Sequence, residues 1–248
     1  MTEGHRWFQP GHDKTSVSQF MRHRAKSVGI SFRSQESLAM TAKLTVIEHP
    51  LVRHKISLLR DQQTKSIVFR AVVREIAQLM TYEATRDLAL VDRDIQTPVA
   101  PMTAQVLAHP APVLVSILRA GNAMLDGVLD LLPMASVAHI GMYRDHETLE
   151  AIEYSFNGPP DIAERLNLVV DPMLATANSG IAAISRLKEK GVRDLRMMSI
   201  LAAPEGLTAF AAAHPDVPVF VGEVDERLNE KGYIVPGLGD AGDRSYGT

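Results

Sequence analysis

The sequence predicts an α/β protein built on a parallel sheet flanked by helices. Apolar runs of strand length recur from Val113 onward, helical stretches separate most of them, and small or polar residues come directly after each run. In such sheets ligands bind beyond the carboxyl ends of the strands, so the residues after each run are where chemistry is expected.

The elements are taken in chain order. Residues 66–80 place Ile67, Phe69, Val72, Val73, Ile76, Leu79 and Met80 at helical spacing, with Arg70, Arg74, Glu75 and Gln78 outside that stripe. The runs Val113–Leu118, Ala135–Met142, Leu166–Val170, Met197–Ala202 and Val217–Val221 each suit a buried parallel strand. Between the third and fourth, Ile181–Lys190 reads as a helix closed by Gly191.

At 248 residues, 46% hydrophobic and 22% charged, the chain has material for one ordinary core. A formal net charge of -3 offers no footprint for nucleic acid or an acidic membrane. The absence of cysteine excludes disulfides, thiolate metal sites and a catalytic thiol, and no apolar run approaches the roughly 20 residues that span a bilayer. Small molecules and like subunits are the expected partners, and the cytoplasm the expected compartment.

Residues 1–39 differ in character. They carry Arg6, Lys14, Arg22, Arg24, Lys26 and Arg33 against Glu3, Asp13 and Glu36, a balance of +3 where the remainder carries -6, and show no sustained apolar period. Such a segment buries too little to offset its ordering entropy, and disorder is expected. Met40 reads as the natural start, which makes 40–248 the functional domain and 1–39 an extension.

Three strand ends and the carboxyl-terminal segment carry candidate chemistry. Ile117-Leu118-Arg119-Ala120-Gly121 offers a guanidinium fork for phosphate beside small residues, and equally reads as a surface arginine before a helix. Gly141-Met142-Tyr143-Arg144 repeats that pattern. Val169-Val170-Asp171 leads through Pro172, Met173, Leu174, Ala175, Thr176, Ala177, Asn178 and Ser179 to a helix start whose free N–H groups favour phosphate; the alternative is an ordinary helix capped by Ser179. Gly232–Asp243 holds four glycines and one proline, which permits close approach of main chain to a planar base, or else forms a tail loop that Ile234, Val235 and Leu238 would anchor.

Taken together, these segments resemble the uracil phosphoribosyltransferases. The resemblance runs from about Leu44 to the last residue and includes Glu48-His49-Pro50-Leu51-Val52, Leu79–Leu88, Val170–Thr176, Ala203-Pro204-Glu205-Gly206 and nearly all of Asp225–Thr248. It implies the phosphoribosyltransferase fold, with a carboxyl-terminal hood over the site and a dimerisation hairpin near residues 90–105. It implies transfer of phosphoribosyl from 5-phosphoribosyl 1-diphosphate to uracil, giving UMP, with Mg2+ carried by the diphosphate and no direct side-chain ligation. By the same resemblance Arg119 and Arg144 would hold the diphosphate, Asp171 the ribose hydroxyls and Ala175–Ser179 the 5-phosphate. Val235, Asp240, Ala241 and Gly242 would read uracil, with Asp240 also near the ribosyl diphosphate. Family members are dimers, or tetramers activated by GTP, and the sequence leaves both open.

Two positions depart from the family pattern. Ala177 and Asn178 replace two glycines of the phosphate loop, and Asn157 replaces a lysine in Tyr154-Ser155-Phe156-Asn157. Both departures are expected near the ribosyl diphosphate. The rival to a working salvage enzyme is therefore a uracil- or UMP-binding regulatory protein of the same fold with weakened transfer.

Overall fold

The computed structural model describes residues 44–144 and 151–248, less the side chains of residues 143, 144 and 151–153. The expectations for residues 1–39 lie outside it.

The order along the chain is β1 (Leu44–Val46), α1 (Pro50–Arg60), α2 (Ser66–Ala84), β2 (Leu90–Gln96), β3 (Pro101–Leu107), β4 (Val113–Leu118), α3 (Asn122–Leu131), β5 (Ser136–Arg144) and β6 (Ala151–Asn157). A 3-10 turn, Ile162–Glu164, precedes β7 (Asn167–Val170), β8 (Met173–Leu174), α4 (Asn178–Glu189), β9 (Leu195–Ala202), α5 (Pro204–Ala213), β10 (Val219–Val224), β11 (Arg227–Leu228), β12 (Ile234–Val235) and α6 (Ala241–Tyr246).

The main sheet runs β1-β10-β9-β7-β4-β5-β6, with β8 paired to β9. Every pairing in it is parallel except β5 with β6. That edge strand departs from the all-parallel expectation. Only six residues separate Arg144 from Ala151, too few for a crossover helix, so the chain returns antiparallel.

Alternate residues of the central strands feed two cores. Leu114, Leu168, Val170, Met198 and Ile200 pack with Val52 and Ile56 of α1, Phe69 and Ile76 of α2 and Met124 of α3. Val113, Val115, Val169 and Met197 pack on the other face with Ile184 and Leu187 of α4 and Phe210 of α5. Strands covered on both faces are apolar at most positions, with buried polar residues such as Ser116, Asn167 and Ser199 among them, which is why they read as near-continuous runs.

The predicted runs all form strands. The last is displaced: Val217 and Pro218 stay outside β10, which instead continues to Val224 because Glu223 and Val224 keep pairing with Leu201 and Ala202. The helix expected over 66–80 extends to Ala84, where Thr81 satisfies its hydroxyl on the Ala77 carbonyl at 2.7 Å. Ile67, counted in its apolar stripe, is instead 71% exposed. Among the described residues strands β2 and β3 pair only with each other and form an exposed hairpin, at the place expected for the arm.

Candidate active site

Strands β5 and β7 flank β4, so the residues beyond their carboxyl ends meet at one end of the sheet. After β4, Arg119 and Ala120 turn into α3 through Gly121. A Cβ there would lie 2.5 Å from the Val170 carbonyl oxygen and 2.7 Å from that of Ile117, so only glycine lets the turn pack against the end of β7. The Leu118–Arg119 peptide is cis. The Arg119 side chain is 63% exposed, with Nη2 3.7 Å from Asp243 Oδ1, and its carbonyl accepts from the Tyr246 hydroxyl at 3.2 Å. Arg144 ends β5; its side chain lies outside the described residues.

Asp171 comes directly after β7. Its backbone N–H reaches the Met198 carbonyl at 3.2 Å, and its carboxylate accepts from Met173 N–H at 3.4 Å. Burial pushes the Asp171 carboxyl up to about 7; the Met173 bond opposes that rise and the charge of Asp240 adds to it. A carboxyl so placed gains from a nearby cation or from hydroxyl donors, which favour its charged form.

The loop Pro172–Ala177 is tied to the sheet: the Pro172 carbonyl accepts from Ile200 and Leu201 N–H, at 3.0 and 3.1 Å, and the Leu174 carbonyl from Ala203 N–H at 3.1 Å. At the start of α5, Gly206 sits against the Ala175 carbonyl, where a Cβ would approach to 2.1 Å. Ala177 has φ 66° and ψ 1°, the single non-glycine residue with positive φ among those described. Helix α4 therefore begins at Asn178, with Ala177 as a cap that makes no side-chain bond, and the expected Ser179 cap is displaced into the first turn. A hydroxyl cap would need extended backbone before the helix, and the left-handed turn supplies none. Of the two replaced glycines, the left-handed position falls on the one whose substitute tolerates it less.

The carboxyl-terminal segment closes the site. Gly232, Gly237 and Gly239 have φ of 79°, 62° and 81°, and the Val235–Pro236 bond is cis. Asp240 caps α6, accepting from Asp243 N–H at 2.9 Å. Ile234, Leu238 and Ala241 are buried, so the segment is an anchored wall rather than a loose tail.

Two adjoining recesses result, sharing Asp171, Met173, Ala175, Gly232 and Asp240. One continues along Ala120, Ile234, Gly239, Ala241 and Gly242. The other runs from Leu174 through Ser179 to Gly180, along the amino end of α4. Of the expected site residues, Arg119, Pro172 and Val235 do not line either recess; Val235 pairs with Arg227 while its neighbour Ile234 faces the cleft. Lys231, Tyr233 and Gly239 line it without having been expected. Tyr233 and Gly239 lie inside the glycine-rich segment and Lys231 directly before it, and that density was the available signal. Asn157 pairs with His139 on the edge strand and lines neither recess, where a position near the ribosyl diphosphate was expected. Strand β6 runs antiparallel, which carries Asn157 back along the sheet from its carboxyl end. A separate cavity, lined by Leu107, His109, Arg165 and Arg193, lies at the opposite ends of the strands. Among the described residues no group of His, Cys, Asp and Glu is arranged to hold a metal ion, and no helix is long and apolar enough to cross a membrane.

The family model described as uracil phosphoribosyltransferase matches residues 46–248. The chain is 58% identical over 205 residues to the uracil phosphoribosyltransferase of Rhizobium leguminosarum bv. trifolii, covering 83% of this chain and 98% of that one. The Brucella ovis uracil phosphoribosyltransferase gives 58% identity with 83% and 99% covered. Among solved structures, the AQ2163 protein from Aquifex aeolicus aligns with a TM-score of 0.78 at 36% identity, over 82% of this chain and 97% of that one.

Proposed function

The chain belongs to the uracil phosphoribosyltransferase family, and we propose on that footing that its cleft joins uracil to 5-phosphoribosyl 1-diphosphate. The C1–N1 bond forms as the C1–oxygen bond to diphosphate breaks; UMP and diphosphate leave, and the uracil N1 proton passes to solvent. The observation that carries the reading is one cleft joining a half-buried strand-end carboxyl, a helix amino terminus and a main-chain wall of glycines.

Each part has a task. The free N–H groups at the start of α4, with Thr176 and Ser179, suit the 5-phosphate. Asp171 suits the ribose hydroxyls. The wall of Ile234 and Gly239–Gly242 suits a flat pyrimidine whose edge is read by main-chain groups. Arg119, next to Ala120 at the mouth, and Arg144 suit the diphosphate, where charge builds as the bond to C1 breaks and fixed cations lower the barrier. Asp171 and Asp240 fit a cation brought in on the diphosphate, since one carboxyl is held near neutrality by burial and by the other's charge. When bound, Mg2+ would neutralise the leaving group.

The hairpin of β2 and β3 exposes Leu90, Val91, Ile95 and Met102, which supports a homo-oligomer formed through it. A reducing, cytoplasmic setting agrees with the absence of cysteine. The test is formation of UMP from labelled uracil and 5-phosphoribosyl 1-diphosphate with Mg2+, with and without GTP. No UMP from folded protein would overturn the assignment.

A further inference from the structure

Arg60, the last residue of α1, lies outside the cleft yet reaches its wall. Its Nη1 donates to Asp225 Oδ2 at 2.8 Å and to the Gly237 carbonyl at 2.9 Å, and its Nη2 pairs with Asp225 Oδ1. Asp225, directly after β10, has a side chain only 2% exposed and accepts from Gly237 N–H at 2.8 Å. One ion pair thus holds both polar backbone groups of Gly237. That glycine sits between Ile234 and Gly239, which line the recess, in a turn so tight that a Cβ would lie 2.1 Å from the Ile234 carbonyl oxygen. A second arginine repeats the arrangement: Arg244 of α6 donates to the Leu238 carbonyl at 2.8 Å and to that of Asp61 at 2.6 Å, and also bonds the Leu59 carbonyl.

A buried ion pair is poor evidence for stability, because desolvating the two charges offsets their attraction. What this pair does achieve is to fix where Gly237 lies relative to α1. We propose that Arg60 and Asp225 are positioning residues for the pyrimidine: through Gly237 they set the spacing of the wall that receives the base, without touching the ligand. Their role depends on the cleft being the site of transfer to uracil.

The test is steady-state kinetics of Arg60→Lys and Asp225→Asn with both substrates varied, together with calorimetric binding of uracil and thermal melting. Arg74→Lys is the control, since the Arg74–Asp130 pair is also bidentate, at 2.6 and 2.7 Å, and lies away from the cleft. The expected result is a KM for uracil raised about ten-fold or more, as a misplaced contact surface implies, while KM for 5-phosphoribosyl 1-diphosphate stays within about two-fold and the control does not change. A uracil KM within about two-fold of the parent, or both KM values rising together, overturns the proposal. Arg60→Lys keeps the charge and the apolar stem, so it carries the test alone if Asp225→Asn does not fold. A folded parent without turnover would sink the transfer reading, and the same ten-fold criterion would then apply to uracil binding. A folded parent that binds no uracil overturns both.

Discussion

Asp171 and Asp240 share one cleft, where the charge of Asp240 reinforces the burial that lifts the Asp171 carboxyl to about 7. A carboxyl whose folded value lies above its unfolded one, near 3.9, holds more protons folded than unfolded between the two. The ligand-free protein should therefore lose stability as pH rises from about 4 to about 7 through this group. Melting temperatures across that range should fall less steeply in Asp171→Asn. Affinity for the magnesium complex of 5-phosphoribosyl 1-diphosphate should rise over the same interval in the parent and rise less steeply in the variant, where only the ligand's own phosphates titrate, as read by calorimetry.

Arg119→Ala should lower kcat about a hundred-fold or more, the usual scale for losing one group that stabilises charge in the transition state. Its side chain is largely exposed and its one described ion pair, to Asp243 at 3.7 Å, is long, so the melting temperature should stay near the parent's. A kcat within about three-fold of the parent would remove Arg119 from the reaction.

Ala177→Gly should stabilise the fold by about 0.5–1 kcal/mol, because glycine adopts φ 66° without a Cβ penalty. Loss of one buried methyl sets the lower end of that range. The loop already holds its conformation with alanine, so kcat in the double variant Ala177→Gly, Asn178→Gly should change only modestly. Turnover appearing from a near-inactive parent would instead identify a binding protein that has lost transfer.

Gly206→Ala should cost about 1–3 kcal/mol and depress activity together, since its Cβ would press on the Ala175 carbonyl from outside the cleft. Chemical denaturation and the UMP assay read the two effects. An unchanged melting curve would mean that α5 moves aside freely.

Paired substitutions Ile95→Asp and Met102→Asp, which face each other across the hairpin, should shift the protein to smaller species in sedimentation. The hairpin adds little to the core, so the fold should survive. No shift would place any self-association elsewhere.

The central strands were legible because both faces are covered: Val113–Leu118 reads to the residue from an apolar run broken by Ser116 alone. Strand β6 was not, since its seven residues mix Glu153, Ser155 and Asn157 with apolar neighbours at a sheet edge, where one side escapes burial. The two-residue strands β8, β11 and β12 are too short to leave a period, and β8 also depends on a partner nearly thirty residues further along, Leu201 and Ala202 of β9. In the site, Asp171 and the loop after it stood out because strand, acid and small residues come one after another in the chain. Lys231, Tyr233 and Gly239 reach the cleft through turns at Gly232, Gly237 and Gly239 whose directions no residue pattern reveals.

The wall formed by Gly232–Gly242 comes after every strand of the main sheet in chain order. Synthesis runs from the amino terminus, so an emerging polypeptide can assemble its whole sheet before it owns a seat for the base. On the proposed reading, a nascent chain halted before Gly232 would present the backbone meant for phosphate with nothing to select the pyrimidine, and selectivity would arrive only with the turns that follow.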